Sequence, residues 1–327
     1  MIFIKYIFKF IIYFSFNSII FYISLFNRAS YVNYQNKENI ESKINYNLTK
    51  IVIISEPCPI CGLFSLYNKY FKCAINLIQK GFIPLIDLTL QENIFTKIDF
   101  PLSNQNPWEL YFHQPFNLTL NNVNKSDIKR IKCENFYITN FGPIYDEEST
   151  RDYWSLLANR YVPIKSNIIK EAEIIKYKLF KNSENILGVL MRGTDFLSIK
   201  PTRHAIPPNS SIVIEDIKKF NKKYNYDYFF ITTEDDNIRE AFIKQFRKKL
   251  KYHIVTKVRY DYRSKIPIVL NNDIKGTIEY MKNYLINIII LSKCLDLISA
   301  RTNGAIGAFL FSSGFRNKKI YNLGRYE

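Results

Sequence analysis

Three short polar clusters in the second half of the chain carry residue types suited to holding a phosphorylated substrate. The first, Met191-Arg192-Gly193-Thr194-Asp195, follows the apolar run Ile186-Leu187-Gly188-Val189-Leu190. A guanidinium at a strand end can bridge phosphate oxygens in two-pronged fashion, and the glycine beside it lets a ligand approach the main chain. The same residues also read as a strand-ending turn with an Arg–Asp surface pair, which stabilises little. The second cluster, Thr232-Thr233-Glu234-Asp235-Asp236, follows Tyr228-Phe229-Phe230-Ile231. Its carboxylates can accept hydrogen bonds from a base or ribose, or cap the next helix, and capping is the expected role of Asp235 or Asp236 taken singly. The third, Ala300-Arg301-Thr302-Asn303-Gly304, lies between a strand and a helix whose first N–H groups form a cradle for phosphate. One such turn means little, but three of them after strands of one sheet point to a shared ligand.

A fourth candidate is His204, in the proline-bounded loop Lys200-Pro201-Thr202-Arg203-His204-Ala205-Ile206-Pro207-Pro208. A loop imidazole there can contact a sugar or phosphate, or move a proton. His113 and His253 lack such company and read as structural. Cys58 and Cys61 form a CxxC, with Cys73, Cys133 and Cys294 scattered elsewhere. A zinc site needs a second such pair or paired histidines, so no metal is expected. A chain this long with five cysteines has no disulfide framework, and reduced thiols near a turn are the reading preferred.

The elements that must position these residues alternate. Lys50 to Ser55 reads as a strand, Leu66 to Lys80 as a helix closed by Gly81, and Phe82 to Leu88 as a strand, together one βαβ unit. Residues 89 to 150 are interrupted by Pro101, Pro107, Pro115 and Pro143, and a helical region from about Ser149 to Lys181 follows. Strands are then expected at Ile186–Arg192, Tyr228–Thr233, Tyr252–Val258, Leu295–Ala300 and Lys319–Leu323. Helices are expected at Ser210–Tyr224, Asp236–Lys251, Gly276–Lys293 and Gly304–Phe311. This pattern predicts an α/β fold, a parallel sheet covered by helices on both faces, with ligands beyond the carboxyl ends of its strands.

With 327 residues and 47% hydrophobic content the chain can bury a sizeable core, and its length suits two modest domains. The formal charge of +17 favours anionic partners. Its basic residues are scattered, without zinc-finger spacing or a basic-region helix, so a membrane surface and a phosphorylated small molecule are expected rather than nucleic acid. Phe10 to Phe26 is uncharged and rich in Ile and Phe. At about 17 residues it is at the short end of what spans a bilayer. Residues 1–30 are therefore expected to be a hydrophobic membrane anchor, with an interfacial helix as the alternative and topology open.

The clusters in their order resemble the fucosyltransferase superfamily. Arg192-Gly193-Thr194-Asp195 is similar to the Arg-Arg-Thr-Asp motif of the α1,6-fucosyltransferase type, Thr232-Thr233-Glu234-Asp235 to its Ala-Thr-Asp-Asp segment, and Asn303-Gly304 falls on its later Ser-Ser turn. The chain also resembles bacterial surface-polysaccharide glycosyltransferases through Cys61-Gly62-Leu63-Phe64-Ser65 and through Asn106 to Pro115, with its Trp108-Glu109 pair.

The resemblance implies a GT-B-like pair of Rossmann-like domains, here 48–165 on the acceptor side and 166–327 binding the nucleotide sugar. It implies a metal-independent, inverting transfer of fucose from GDP-fucose, a substrate rather than a cofactor, to a glycan or lipid-linked acceptor in surface polysaccharide synthesis. Arg192 would neutralise the leaving β-phosphate. Gly193, Thr194, Thr233, Glu234, Asp235, Asn287, Arg301, Thr302, Asn303 and Gly304 would surround the donor. Trp108 and Glu109 would face the acceptor, or belong to the ordinary packing of an aromatic-rich segment. Three positions depart from the pattern: Gly193 replaces a second arginine, Lys200 a loop carboxylate, and Asn287 an aspartate that meets the base. Asp195 and His204 are the candidates for the acceptor-activating base. A different donor sugar, or a non-catalytic membrane-tethered glycan-binding subunit, are the alternatives. Catalysis is expected on the cytoplasmic face of a membrane in a bacterium and in the Golgi lumen in a eukaryote.

Overall fold

The computed structural model describes residues 51–55, 62–89, 105–120, 128–132, 141–193, 204–253, 260–261, 266–267 and 274–327, and single residues at 123, 197, 200 and 202. The expected membrane anchor, Cys58, Cys61, Cys133, Thr194 and Asp195 lie outside the described residues. Residues 52–327 cluster as one unit. Among the described residues no helix is long and apolar enough to cross a membrane.

A small sheet in the order β2-β1-β3 is built from β1 (Ile51–Ile54), β2 (Ile83–Ile86) and β3 (Lys129–Ile131), with β1 and β3 parallel. Between β1 and β2 runs α1 (Leu63–Gln79). Its apolar residues recur every three or four positions, at Leu63, Leu66, Tyr67, Tyr70, Phe71, Ala74 and Leu77, and all are buried. Gly81, at φ +83°, ends the helix in the left-handed conformation, where Phe82 N–H donates to the Leu77 carbonyl at 2.9 Å. The βαβ unit thus stands where the alternation put it. β3 falls in a stretch expected to be irregular: a three-residue edge strand with two exposed positions leaves little hydrophobic signal.

The helical region from 149 to 181 is two helices, α2 (Glu148–Tyr161) and α3 (Ser166–Phe180), separated at Val162-Pro163. The proline cannot donate to a continuing helix. The second sheet then contains β4 (Ile186–Leu190), β5 (Tyr228–Thr232), β6 (Leu250–Lys251), β9 (Asp296–Ala300) and β10 (Asn317–Tyr321), every pair parallel, in the order β10-β9-β4-β5-β6. A two-stranded antiparallel ribbon, β7 (Tyr260–Asp261) and β8 (Ile266–Pro267), lies between β6 and the next helix in sequence. The helices of this half are α4 (Ser210–Tyr224), α5 (Asp236–Phe246), α6 (Ile274–Ser292) and α7 (Asn303–Phe311).

Strand alternation sorts the core into two layers. Leu187, Val189, Phe229, Ile231 and Ile298 pack with Val213 and Ile217 of α4 and with Ile238 and Phe242 of α5. On the other face Phe180 of α3 meets Phe230 edge-on, with ring centroids 5.7 Å apart. Two expectations shift here. Helix α5 stops at Phe246 rather than reaching Lys251, and the strand placed at 252–258 lies earlier, at Leu250–Lys251, with 254–259 outside the described residues.

At the amino end of the second sheet a buried carboxylate ties strands together. Asp296 is 0% exposed and accepts from Tyr226 Oη, from Arg316 Nη2 at 2.6 Å and from Asn317 N–H at 2.7 Å. A charge this deep is tolerated because its partners satisfy it. Desolvation, reinforced by the hydrogen bond to Asp296, pushes the Tyr226 phenol well above its ordinary range.

Candidate functional site

Register brings the three polar clusters side by side. Leu190 at the end of β4 pairs with Thr232 of β5 and Ser299 of β9, so the turns that begin at Met191, Thr233 and Arg301 leave the sheet at one level. Strand order reverses here: β4, β5 and β6 proceed outward in one direction, and the chain then returns to β9 on the other side of β4. The crevice between the carboxyl ends of β4 and β9 is therefore the topological switch point, where open α/β sheets take ligands.

On the β4 side, Met191 N–H donates to the Thr232 carbonyl at 3.0 Å, which extends the pairing by one residue and fixes where the turn begins. Arg192 then turns toward the β5 cluster, its Nη1 lying 3.3 Å from Glu234 Oε1. Gly193 N–H donates to the same oxygen at 3.2 Å. The residue at 193 has to be glycine, because a methyl group there would sit 2.4 Å from the Asp235 Cβ. An arginine in that place, as in the family pattern, does not fit beside Asp235 in this arrangement.

The β5 cluster divides its labour. Asp235 caps α5, its Oδ1 accepting from Ile238 N–H at 3.1 Å, and Thr233 Oγ1 accepts from Asp235 N–H at 3.2 Å. Asp235 thus caps the helix through Oδ1, while Glu234 pairs with Arg192. A narrow cleft beside it is lined by Leu190, Thr232, Thr233, Glu234, Tyr280 and Tyr284. The two tyrosines, one turn apart on α6, escaped the sequence reading because a helix rich in apolar residues hides its cleft-lining positions among core positions.

On the β9 side, Thr302 caps α7 through its Oγ1, which accepts from Ala305 N–H at 3.2 Å. The Thr302 carbonyl accepts from Tyr145 Oη at 3.2 Å, and Asn68 Nδ2 donates to the Asn303 carbonyl at 3.2 Å and to its side-chain oxygen at 3.1 Å. These bonds fix the helix start from outside the sheet. At Gly304 a methyl group would lie 2.3 Å from Tyr284 Oη, so glycine is what lets α6 close against α7 at this point. Arg301 is more peripheral: it pairs with Asp146 at 3.3 Å and lies 5.6 Å over the Tyr145 ring.

His204 is exposed, and its carbonyl accepts from Tyr326 N–H at 3.0 Å. Ala205 bridges to Arg325, and Ile206 N–H donates to the Gly324 carbonyl at 3.1 Å. The loop is thus tied to the tail that follows β10, on the β9 side of the crevice. Among the described residues, no group of three or more His, Cys, Asp and Glu could hold a metal ion.

Three expected site residues have other work. Asn287 is 0% exposed, and its Nδ2 donates to the His253 carbonyl at 3.4 Å, a contact to the chain just beyond β6. His253 belongs to the same network through its ring, 3.1 Å from Asn283 Oδ1. Trp108, expected toward an acceptor, is 1% exposed, stacked on Tyr67 with centroids 5.9 Å apart, and donates its indole N–H to the His113 carbonyl at 3.2 Å. Glu109 accepts from Gln114 Nε2 at 3.0 Å.

The reason lies in the neighbouring edge strand. Gln114 Oε1 accepts from Ile86 N–H at 2.8 Å, while its Nε2 donates to the Ile86 carbonyl at 2.7 Å. Asn106 Nδ2 donates to the same carbonyl at 2.6 Å. The two amide side chains complete the open edge of β2 in place of a further strand. Asn106, Trp108 and Gln114 of this motif are therefore engaged in packing and edge pairing.

No protein-family model matches the chain, and no curated protein sequence matches it. Solved structures resemble it at low identity. The fucosyltransferase NodZ from Bradyrhizobium is 13% identical, with 80% of this chain and 92% of that one covered and a TM-score of 0.49. NodZ α-1,6-fucosyltransferase soaked with GDP-fucose is 14% identical, with coverage of 80% and 92% and a TM-score of 0.43. POFUT1 in complex with GDP-fucose is 8% identical, with coverage of 84% and 99% and a TM-score of 0.44. Likeness this distant leaves the chemistry to be argued from the residues.

Proposed function

We propose that the chain is a glycosyltransferase whose crevice between β4 and β9 binds a nucleotide-diphosphate sugar, GDP-fucose before others. The observation that carries this reading is the placement of Arg192 and the capped start of α7 on the two sides of the switch point. A diphosphate leaving group develops negative charge as the glycosidic bond to it breaks. A guanidinium and oriented helix N–H groups stabilise that charge where it develops. The sequence resemblance to the α1,6-fucosyltransferase type supports fucose as the sugar and inversion, without a metal, as the stereochemical course. The nucleoside is assigned to the side of Arg192 where Glu234, Thr233 and the tyrosines of α6 line a narrow cleft.

The acceptor is a glycan or lipid-linked glycan of a cell surface, and residues 1–30 hold the enzyme at a membrane, on its cytoplasmic face. What supports the membrane part is the uncharged run Phe10 to Phe26 alone. His204, on an exposed loop tied to the tail after β10, and Asp195 are the proposed proton acceptors.

The test is release of nucleoside diphosphate from GDP-fucose, UDP-glucose and CDP-activated sugars by the full chain, with cell-surface glycan extract as acceptor. GDP release from GDP-fucose is expected, with a fall of about 100-fold or more for Arg192→Ala. Turnover of the variant at the wild-type rate would sink the assignment of Arg192.

A further inference from the structure

The two donors that a phosphate oxygen would take at the end of β4 are already engaged by one atom. Glu234 Oε1 lies 3.3 Å from Arg192 Nη1 and accepts from Gly193 N–H at 3.2 Å. This is no solvated surface pair, for the side chains are 20% and 13% exposed. A cation and a main-chain N–H converging on one anionic oxygen is the arrangement that proteins use for bound phosphate.

We infer that the Glu234 carboxylate is an internal stand-in for the donor's phosphate, holding the anion position until a diphosphate displaces it. The inference rests on the donor-site reading above and adds to it a residue that sets specificity by charge. An incoming ligand has to break a charge-assisted contact, so it must bring enough negative charge to replace what Arg192 loses. A free sugar or a nucleoside brings none and cannot compete. A diphosphate brings more than the carboxylate supplies, and two phosphates reach both the Arg192 turn and the start of α7.

Displacement also has a place to go. Glu234 also lines a narrow cleft with Thr232, Thr233, Tyr280 and Tyr284, and the displaced carboxylate is assigned to that side. Asp235 is held in place beside it, its Oδ1 in the α5 cap.

Calorimetric titration of the full chain with inorganic pyrophosphate and with GDP tests this, on wild type, Glu234→Gln and Glu234→Ala. Removing the competing charge is expected to tighten pyrophosphate binding about tenfold, since a hydrogen bond to a charged group is worth about that much. The alanine variant, which removes the competitor outright, is expected to show the same direction, and it decides the matter if the glutamine variant fails to fold. Equal or weaker pyrophosphate binding in the folded variants, while wild type binds GDP, would overturn the stand-in and leave the donor site in place. Failure of wild type and variants alike to bind either probe would overturn the donor-site reading and this inference with it.

Discussion

At the residue scale, the turn after β4 shows why sequence similarity to a motif and its geometry are separate questions. Position 193 carries glycine because Asp235 occupies the space that any side chain there would need. Gly193→Ala is therefore expected to destabilise the fold by about 1–3 kcal/mol, the usual cost of forcing a group into a filled site. The same change would shift Arg192 away from Glu234 and weaken nucleotide binding. Urea unfolding of the variant measures the first effect, and stability equal to wild type would show that the turn has room that these distances deny. Glu234 and Asp235 are adjacent, yet only the cap formed by Asp235 was foreseeable from type and position. Which of the two meets Arg192 depends on the register of β4 against β5, and that is not written in either segment alone.

At the element scale, the second half of the chain was legible and the first half less so, for a physical reason. Buried parallel strands such as Ile186–Leu190 and Tyr228–Thr232 are continuous apolar runs, and the helices between them carry caps at Asn209, Asp235 and Thr302. Those signals are local. The edge of β2 is closed instead by side chains more than 15 residues away along the chain, at Asn106 and Gln114, which no periodicity announces. The GT-B resemblance puts their motif toward the acceptor, with ordinary packing of an aromatic-rich segment as the alternative. The fold uses the tryptophan as core and the glutamate to hold Gln114. Gln114→Ala strands the Ile86 N–H, while the Ile86 carbonyl keeps its bond from Asn106, and is expected to cost about 1–3 kcal/mol of stability, by the penalty of stranding one buried polar group. Nucleotide binding by the folded variant is expected to stay at the wild-type level. A loss of binding with stability intact would return this segment to the site.

At the scale of the whole molecule, the proposed ligand site and the anchoring of the sheet occupy opposite ends of the same strands. The amino ends are fixed by Asp296 with Tyr226, Arg316 and Asn317, while the carboxyl ends carry the Arg192 turn, Glu234 and the start of α7. Contacts from α1 and from Tyr145 brace that helix start from outside the sheet, so residues of the first half help to shape a site built on the second. The central claim is that this end of the sheet binds a nucleotide-diphosphate sugar through Arg192. It is tested most directly by the thermal stability of the full chain in the presence of GDP, UDP, CDP and their sugars, for wild type and Arg192→Ala. A ligand that binds the folded chain raises its melting temperature. The account predicts a rise with GDP and GDP-fucose that is largest among the panel and is lost in the variant; no rise with any nucleotide, or an equal rise in the variant, would contradict it.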